Sequence, residues 1–344
     1  MKKLAIIFLT TITGLTSAFA GNPDRAGSAG AGHLLVNPWA RTSGSAGAGM
    51  ASINGIEATF LNPAGLAFTR KTELVFTNTQ YLVGTGIKLN AFGFGQKVGE
   101  SGALGLSVTN MNFGDLDITT EALPEGGIGT FSPTYTNIAL SYAKGFSNSI
   151  YGGLTVRMIS EAIYNAKAQG FTFDAGIRYV TGEKDNVRFG IALRNVGPPM
   201  RYRGDGLSTA ANVASNGTQL TVEQRSDKYE MPSLVNVGFA YDFLFNDKMK
   251  LTTDASFTSN SFTKDQFGLG AQFGFRERFF LRAGYMFDRG GEDDARTTVY
   301  TGPTAGATVQ IPVGANETNI GLDYSYRVTN PFGGVHSIGV HIAL

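Results

Sequence analysis

Three histidines, His33, His336 and His341, are the side chains best suited to chemistry in this chain, which contains no cysteine. His336 and His341 lie five residues apart near the C-terminus. On an extended strand that spacing puts them on opposite faces, so they cannot serve as a metal pair. No Ser-His-acid arrangement, HExxH helix or Walker loop is present. The run Gly290-Gly291-Glu292-Asp293-Asp294 carries oxygen ligands but lacks the EF-hand spacing, and it reads as a solvated loop tip. The residues therefore predict no catalytic constellation, no metal site and no cofactor. A different set of charges repeats: Asp174, Arg178, Arg188, Arg194, Asp254, Arg282, Asp323 and Arg327. Each lies within an alternating segment, on the parity opposite the apolar residues. Such charges should face a lumen, where they either pair with one another or with a plug, or line a path for an ion or solute.

The segments that hold them alternate with period two. In DQFGLGAQFGF, Phe267, Leu269, Ala271, Phe273 and Phe275 share one parity, and Gly268, Gly270, Gln272 and Gly274 the other. The stretches 171–179, 235–243, 279–287 and 320–326 read the same way. About fourteen such segments follow residue 70, starting near 71, 86, 101, 134, 149, 167, 186, 233, 248, 265, 278, 304, 317 and 334. Each is long enough for the ~9–11 residues that a tilted strand needs to cross a bilayer. Short connections (GQKVGES, GFSNS, TGEKDN, FNDK, RER, GANE) follow every second segment. Long ones run from Gly114 to Pro133, Gly197 to Met231 and Arg289 to Pro303, and those after the first, fifth, ninth and thirteenth segments are intermediate. Long and short ends thus alternate, as in a transmembrane antiparallel β-barrel of about 14 strands. A soluble sandwich has no reason to gather its long loops at one end. On this reading the Phe/Leu face meets lipid. The Gly face looks into a lumen, where another part of the chain presses close.

Composition agrees. There are 46 glycines in 344 residues, about twice the usual share, with 25 Phe, 13 Tyr and 1 Trp. The net charge of +1 gives no basic stripe for nucleic acid, so no nucleic-acid partner is expected. Residues 1–20 read as a signal peptide: a basic start, an apolar run and a small-residue cleavage site, with the mature start near Gly21. An exported chain without disulfides fits a bacterial envelope protein. Residues 21–70 are rich in Gly, Ala, Ser and Pro without alternation, and they read as a hatch or plug segment. Residues 71–344 form the barrel. Outer-membrane lipid is the expected surrounding.

Within the hatch, Ala40 to Phe68 reads ARTSGSAGAGMASINGIEATFLNPAGLAF. Pro63 biases Asn62 to an extended backbone, Asn62 can bond its amide to nearby backbone, and Gly65 can take a positive φ. Together they make a rigid turn, which either shapes the passage from hatch to barrel or gates an opening. This stretch resembles the N-terminal signature of the PorV/PorQ family, among the wider FadL-like outer-membrane barrels. The likeness is carried by Arg41, Gly44, Gly47, Gly49, Ala58, Asn62, Pro63, Ala64, Gly65 and Leu66. The closing GGVHSIGVHIAL is similar to the family's last strand. Two departures stand out: Ile53-Asn54-Gly55-Ile56-Glu57 replaces an acidic pair, and the chain closes on Leu344 rather than an aromatic residue.

The resemblance implies a FadL-like barrel of the type IX secretion system. Such a barrel binds the C-terminal signal domains of secreted cargo proteins at the translocon and passes them to the surface attachment complex. Contacts would come from the long loops, where Met200, Tyr202, Leu207, Leu220, Val222 and Tyr229 place apolar groups. The alternative is a FadL-like channel taking up hydrophobic small molecules, which needs an apolar pocket continuous with a lateral gap. A hydrolase in the barrel is disfavoured by the missing constellation.

Overall fold

The computed structural model describes residues 25, 27–212, 218–288, 298–313 and 318–344. The residues read as a signal peptide, the 290–294 run and the short connection GANE at 314–317 lie outside them. Alternating segments condense into strands β1 (Thr72–Gln80), β2 (Lys88–Val98), β3 (Gly102–Asn112), β4 (Leu116–Asp117), β5 (Thr130–Phe131), β6 (Thr134–Gly145), β7 (Ile150–Ile163), β8 (Ala166–Thr181) and β9 (Val187–Val196). They continue as β10 (Ser208–Asn212), β11 (Gln219–Glu223), β12 (Leu234–Asn246), β13 (Met249–Asn260), β14 (Gln266–Phe275), β15 (Phe279–Asp288), β16 (Tyr300–Val313), β17 (Thr318–Thr329) and β18 (Val335–Ala343). Fourteen of them close into an antiparallel barrel in which β1 pairs with β18, while β4–β5 and β10–β11 are separate hairpins in long loops. Among the described residues no helix is long and apolar enough to cross a membrane, so any crossing is made by strands.

The expected starts fall within two residues of the observed ones, except for β16, which begins at Tyr300 rather than 304. Gly302 and Pro303 interrupt the alternation there, and the β16–β17 register slips between Tyr300 and Thr304. The connection after β7 is also shorter than expected, only Tyr164 and Asn165.

Alternation fixes the faces. Leu154, Leu269, Leu281 and Ile311 are 62%, 56%, 62% and 60% exposed on the outside, a continuous apolar surface suited to lipid. Gly268 and Gly274 are buried on the inside, as the alternation requires. The loops 113–133 and 197–233 share one end of the barrel. The other end carries tight turns, including 99–101 and 276–278, and the C-terminus.

The lumen holds the chain's own N-terminal segment. From Ala29, which bridges to Glu230 in the 197–233 loop, the chain descends towards the short-turn end and enters β1. It makes only short helical turns, at Gly32–Leu35, Ala40–Ser43, Ala58–Leu61 and Pro63–Phe68. Its Trp39, Met50, Ile56 and Leu66 are almost wholly buried and form a core with wall residues Val75, Ala91, Ala103, Ala143 and Ala192.

Candidate functional site: the lumen and its hatch

Four pairs of lumen-facing glycines sit directly opposite each other on neighbouring strands: Gly95 and Gly105, Gly153 and Gly176, Gly190 and Gly238, Gly270 and Gly284. Glycine weakens a strand and leaves no cross-strand contact, so the reason lies in what it admits. A Cβ on Gly153 would stand 2.5 Å from the carbonyl carbon of Pro63, and one on Gly284 2.5 Å from that of Ser45. The hatch backbone lies flat on this girdle.

The Asn62-Pro63-Ala64-Gly65 turn is the wedge of one side. Asn62 is extended (φ −152°), its Oδ1 accepts from Ala64 N at 3.1 Å, and its Nδ2 donates to Ile177 O at 3.1 Å. Gly65 is not among the residues with positive φ. Space requires it instead: a Cβ would meet Ala58 Cβ at 2.5 Å, Ile53 O at 2.6 Å and Arg178 Nη2 at 2.7 Å. The turn sits against β3, β6, β7 and β8 inside the lumen. Gly47 does take positive φ (+70°), next to Ala46 at +57°, in the opposite turn. Gly44 touches Gly306, whose Cα would lie 3.0 Å from a Cβ on it, and Gly49 faces Ser52 and Asp254.

Each charge assigned to the inner face lies inside. Arg178 is fully buried and holds the hatch through Asn54 Oδ1 at 2.6 Å and through Ile53 O. Asp174 pairs with Arg157 at 2.9 Å, Arg188 with Asp242, and Asp323 with His341 at 2.6 Å. Arg282 donates to Gln272 and Thr308, each at 2.6 Å. Asp254 keeps Oδ1 unpartnered. Arg194 lies over the Phe60 ring at 4.3 Å and Arg327 over Tyr300 at 3.7 Å. Neither has a carboxylate partner among the described residues, and Arg194 Nε and Nη2 and Arg327 Nε find no acceptor. His336 faces outward, bonded to Tyr324 Oη at 2.8 Å, opposite to His341.

The reading of the sequence missed several partners. Arg41 Nε donates to Glu57 Oε1 at 2.7 Å and its Nη2 to Glu73 Oε1 at 3.0 Å, while Glu73 Oε2 accepts from Ile56 N at 2.8 Å. Burial works against the Arg41 charge, but Glu57, Glu73 and Asp323 outweigh it and hold the proton more tightly than usual. Glu161 accepts from Tyr202 at 2.6 Å and Tyr229 at 2.7 Å, and His33 Nδ1 stands 3.3 Å away. Burial and that carboxylate push both phenols up. Burial lowers the His33 imidazole despite Glu161 and Asn137. Glu73, Glu161, Asp242 and Arg157 all lie on the inner parity, the signal that could have found them.

This cluster also sorts the loop residues. Met200 is 2% exposed, and Tyr202 and Tyr229 bend down onto Glu161, so these three belong to a cap over the hatch. Leu207 is half-buried, and Leu220 and Val222 face outward on the β10–β11 hairpin.

Two cavities flank the turn at 45–49. The upper one, towards the long loops, is about 400 Å³ and is bounded by Leu35, Phe60 and Leu61 of the hatch and by Leu234, Met286 and Tyr300 of the wall. Arg194 and Arg327 project onto it. It also touches Tyr285 and Phe287, which face outward, 48% and 42% exposed. There the β15–β16 ladder stops at Tyr285 and Pro303, although β14 pairs β15 as far as Asp288. Among the described residues the cavity thus borders both faces of the wall. The lower cavity, towards the short turns, is about 170 Å³.

No family model and no curated protein matches the chain. Solved structures do. The CymD monoaromatic hydrocarbon channel is matched at 14% identity over 90% of this chain and 97% of that one, with a TM-score of 0.52. The toluene transporter TodX of Pseudomonas putida is matched at 12% identity over 85% and 94%, also with 0.52. A Pseudomonas aeruginosa FadL homologue is matched at 14% identity over 89% and 96%, with 0.47. At these identities the likeness concerns the fold: this chain is a closed 14-stranded barrel and shares its fold with CymD and TodX.

Proposed function

We propose that this protein is an outer-membrane channel for small apolar molecules that carry an anionic end. One observation carries the reading: a cavity with mixed apolar and polar walls, onto which project two arginines without a carboxylate partner among the described residues, meets the outer surface where the β15–β16 ladder ends. A buried guanidinium without acceptors is costly, and a ligand carboxylate would supply them. The apolar body would lie against Leu35, Leu61, Leu234 and Met286. The gap beside Tyr285 and Phe287 joins that body to lipid. The barrel fold shared with two hydrocarbon channels supports the reading. A role in type IX secretion rests on the resemblance of the hatch motif and the closing strand, and three of the six loop residues that would dock cargo are turned inward.

The test is calorimetric titration of the protein in lipid nanodiscs with decanoate and with decanol, each corrected with empty nanodiscs. Decanoate should bind at least about tenfold more tightly, the worth of a charge-assisted hydrogen bond. Arg194→Gln with Arg327→Gln should remove at least one decanoate-preferring binding event. Equal binding of both ligands to wild type, or a double variant that keeps every decanoate-preferring event of wild type, refutes it.

A further inference from the structure

The lower cavity holds three guanidiniums and an ammonium: Arg41 of the hatch and Arg188, Arg282 and Lys250 of the wall. Their protein partners leave donors over. Arg41 uses Nε and Nη2 on Glu57 and Glu73, which leaves Nη1. Arg282 uses Nε and Nη1 on Gln272 and Thr308, which leaves Nη2. Arg188 uses Nη2 on Asp242, and its Nε is buried without an acceptor. Lys250 stands 3.6 Å from the same Asp242. The carboxylates around the cavity are otherwise engaged: Glu57 and Glu73 by Arg41, Asp242 by Arg188, Asp323 by His341 and Thr308. Asp254 is the one acid on the lining, on the hatch side next to Gly49 and Ser52, with Oδ1 unpartnered. Cations therefore outnumber acids on this surface, and the donors left over are those that a planar oxyanion takes.

We propose that the lower cavity is a second carboxylate site, a stopping point for the passenger between the hatch turn and the short-turn mouth. This rests on the reading of the lumen as a passage for an anion-bearing molecule. The two sites share no lining residue. Ala46 and Gly47 border the upper cavity and Ser45 and Gly49 the lower, so the turn at 45–49 is the partition. The polar walls of the lower cavity, Thr252, Gln272, Thr308 and Gln310, fit a head group better than an alkyl tail.

Decanoate titrated into wild-type nanodiscs should show two binding events per barrel. Arg282→Gln should weaken one of them at least about tenfold. Arg188→Gln, at a more open position, should act on the same event. Heat-modifiable gel mobility confirms that each variant is assembled, and Arg188→Gln decides the matter if Arg282→Gln is not. A single event in wild type, lost in Arg194→Gln with Arg327→Gln, overturns the second site and leaves the channel standing. Two events that both survive Arg188→Gln and an assembled Arg282→Gln overturn it as well. No binding at all sinks both proposals.

Discussion

Gly152 and Gly153 are neighbours on β7 with opposite surroundings, and a single methyl group should separate them. At Gly153 an added Cβ would lie 2.5 Å from Pro63 C, 2.6 Å from Pro63 O and 2.7 Å from Ala64 N. Those atoms are backbone in a turn held by Asn62, so the hatch must retreat by nearly an ångström to reach ordinary contact at 3.4 Å or more. Overpacking of this kind costs about 1–3 kcal/mol, roughly 5- to 150-fold in the ratio of seated to unseated hatch. At Gly152 the Cβ would meet only Phe146 Cε2 at 2.8 Å, the end of a side chain that is 71% exposed and can swing aside. The chain's single tryptophan, Trp39, is 1% exposed in the hatch and reports seating directly. Gly153→Ala should raise acrylamide quenching of Trp39 while the barrel keeps its heat-modifiable mobility. Gly152→Ala should quench as wild type does. Equal quenching in the two variants would refute the idea that the glycine girdle seats the hatch.

Leu269→Arg puts a charge on the lipid face at a cost of about 2–4 kcal/mol near the midplane and should abolish heat-modifiable assembly, whereas Gln272→Glu should assemble. Glu is the suitable inner control because Gln272 accepts from Arg282. Arg41→Gln strands the buried Glu57 and Glu73 and should loosen the hatch by about 3–5 kcal/mol, seen as Trp39 quenching, with part regained in Arg41→Gln with Glu57→Gln. His33 is held below the ordinary imidazole value of about 6.5, so the folded state resists its protonation. Seating of the N-terminal segment should therefore weaken as pH falls from about 6.5 and hold above it. Limited proteolysis at pH 5 and 7.5 reads this, and His33→Gln should flatten the difference. Finally, Ala48→Cys with Gly268→Cys sets two Cβ atoms about 3.3 Å apart in a chain without other thiols. Its disulfide should stop decanoate passage into vesicles until a reductant is added; undiminished passage under oxidation would mean that the turn is not the partition.

The faces of the barrel were legible because period two is a strong signal when one side meets lipid and the other meets glycine. Phe267 to Phe275 carries it without a break. At Tyr300 to Pro303 the signal failed, because a bulge changes the count of residues per face. The inner charges were legible as a class, since a charge among outward Leu and Phe is too costly. Their partners were not. Arg41 and Glu73 are 32 residues apart and Arg178 and Asn54 124 apart, and strand parity gives a face but no height in the lumen. Gly65 shows a further limit. Its freedom to take a positive φ goes unused, and its type answers instead to three atoms packed around it. The two unpaired arginines were visible only as members of the inner set. What singles them out is that no carboxylate among the described residues pairs with them, and that is a property of the folded lumen.

The hatch is fastened unequally, and the inequality bears on transport. On one side Arg178 grips Asn54 and Ile53, Asn62 bonds the wall at Ile177, and Glu73 takes both Arg41 and Ile56 N. On the other, the turn at 45–49 leans on Gly268, Gly270 and Gly284, and next to it the Gly44 carbonyl takes one wall hydroxyl, from Thr304 at 3.1 Å. Contact with bare backbone is lost gradually as atoms separate, while a buried ion pair that is broken leaves charges uncompensated. Movement of the hatch is therefore cheapest at 45–49, where Ala46 and Gly47 already hold left-handed backbone. That is also the segment between the two cavities. On the proposed reading, a passenger driven from the upper arginines to the lower ones meets the part of the plug that resists least, and the rest of the hatch can stay seated while it passes.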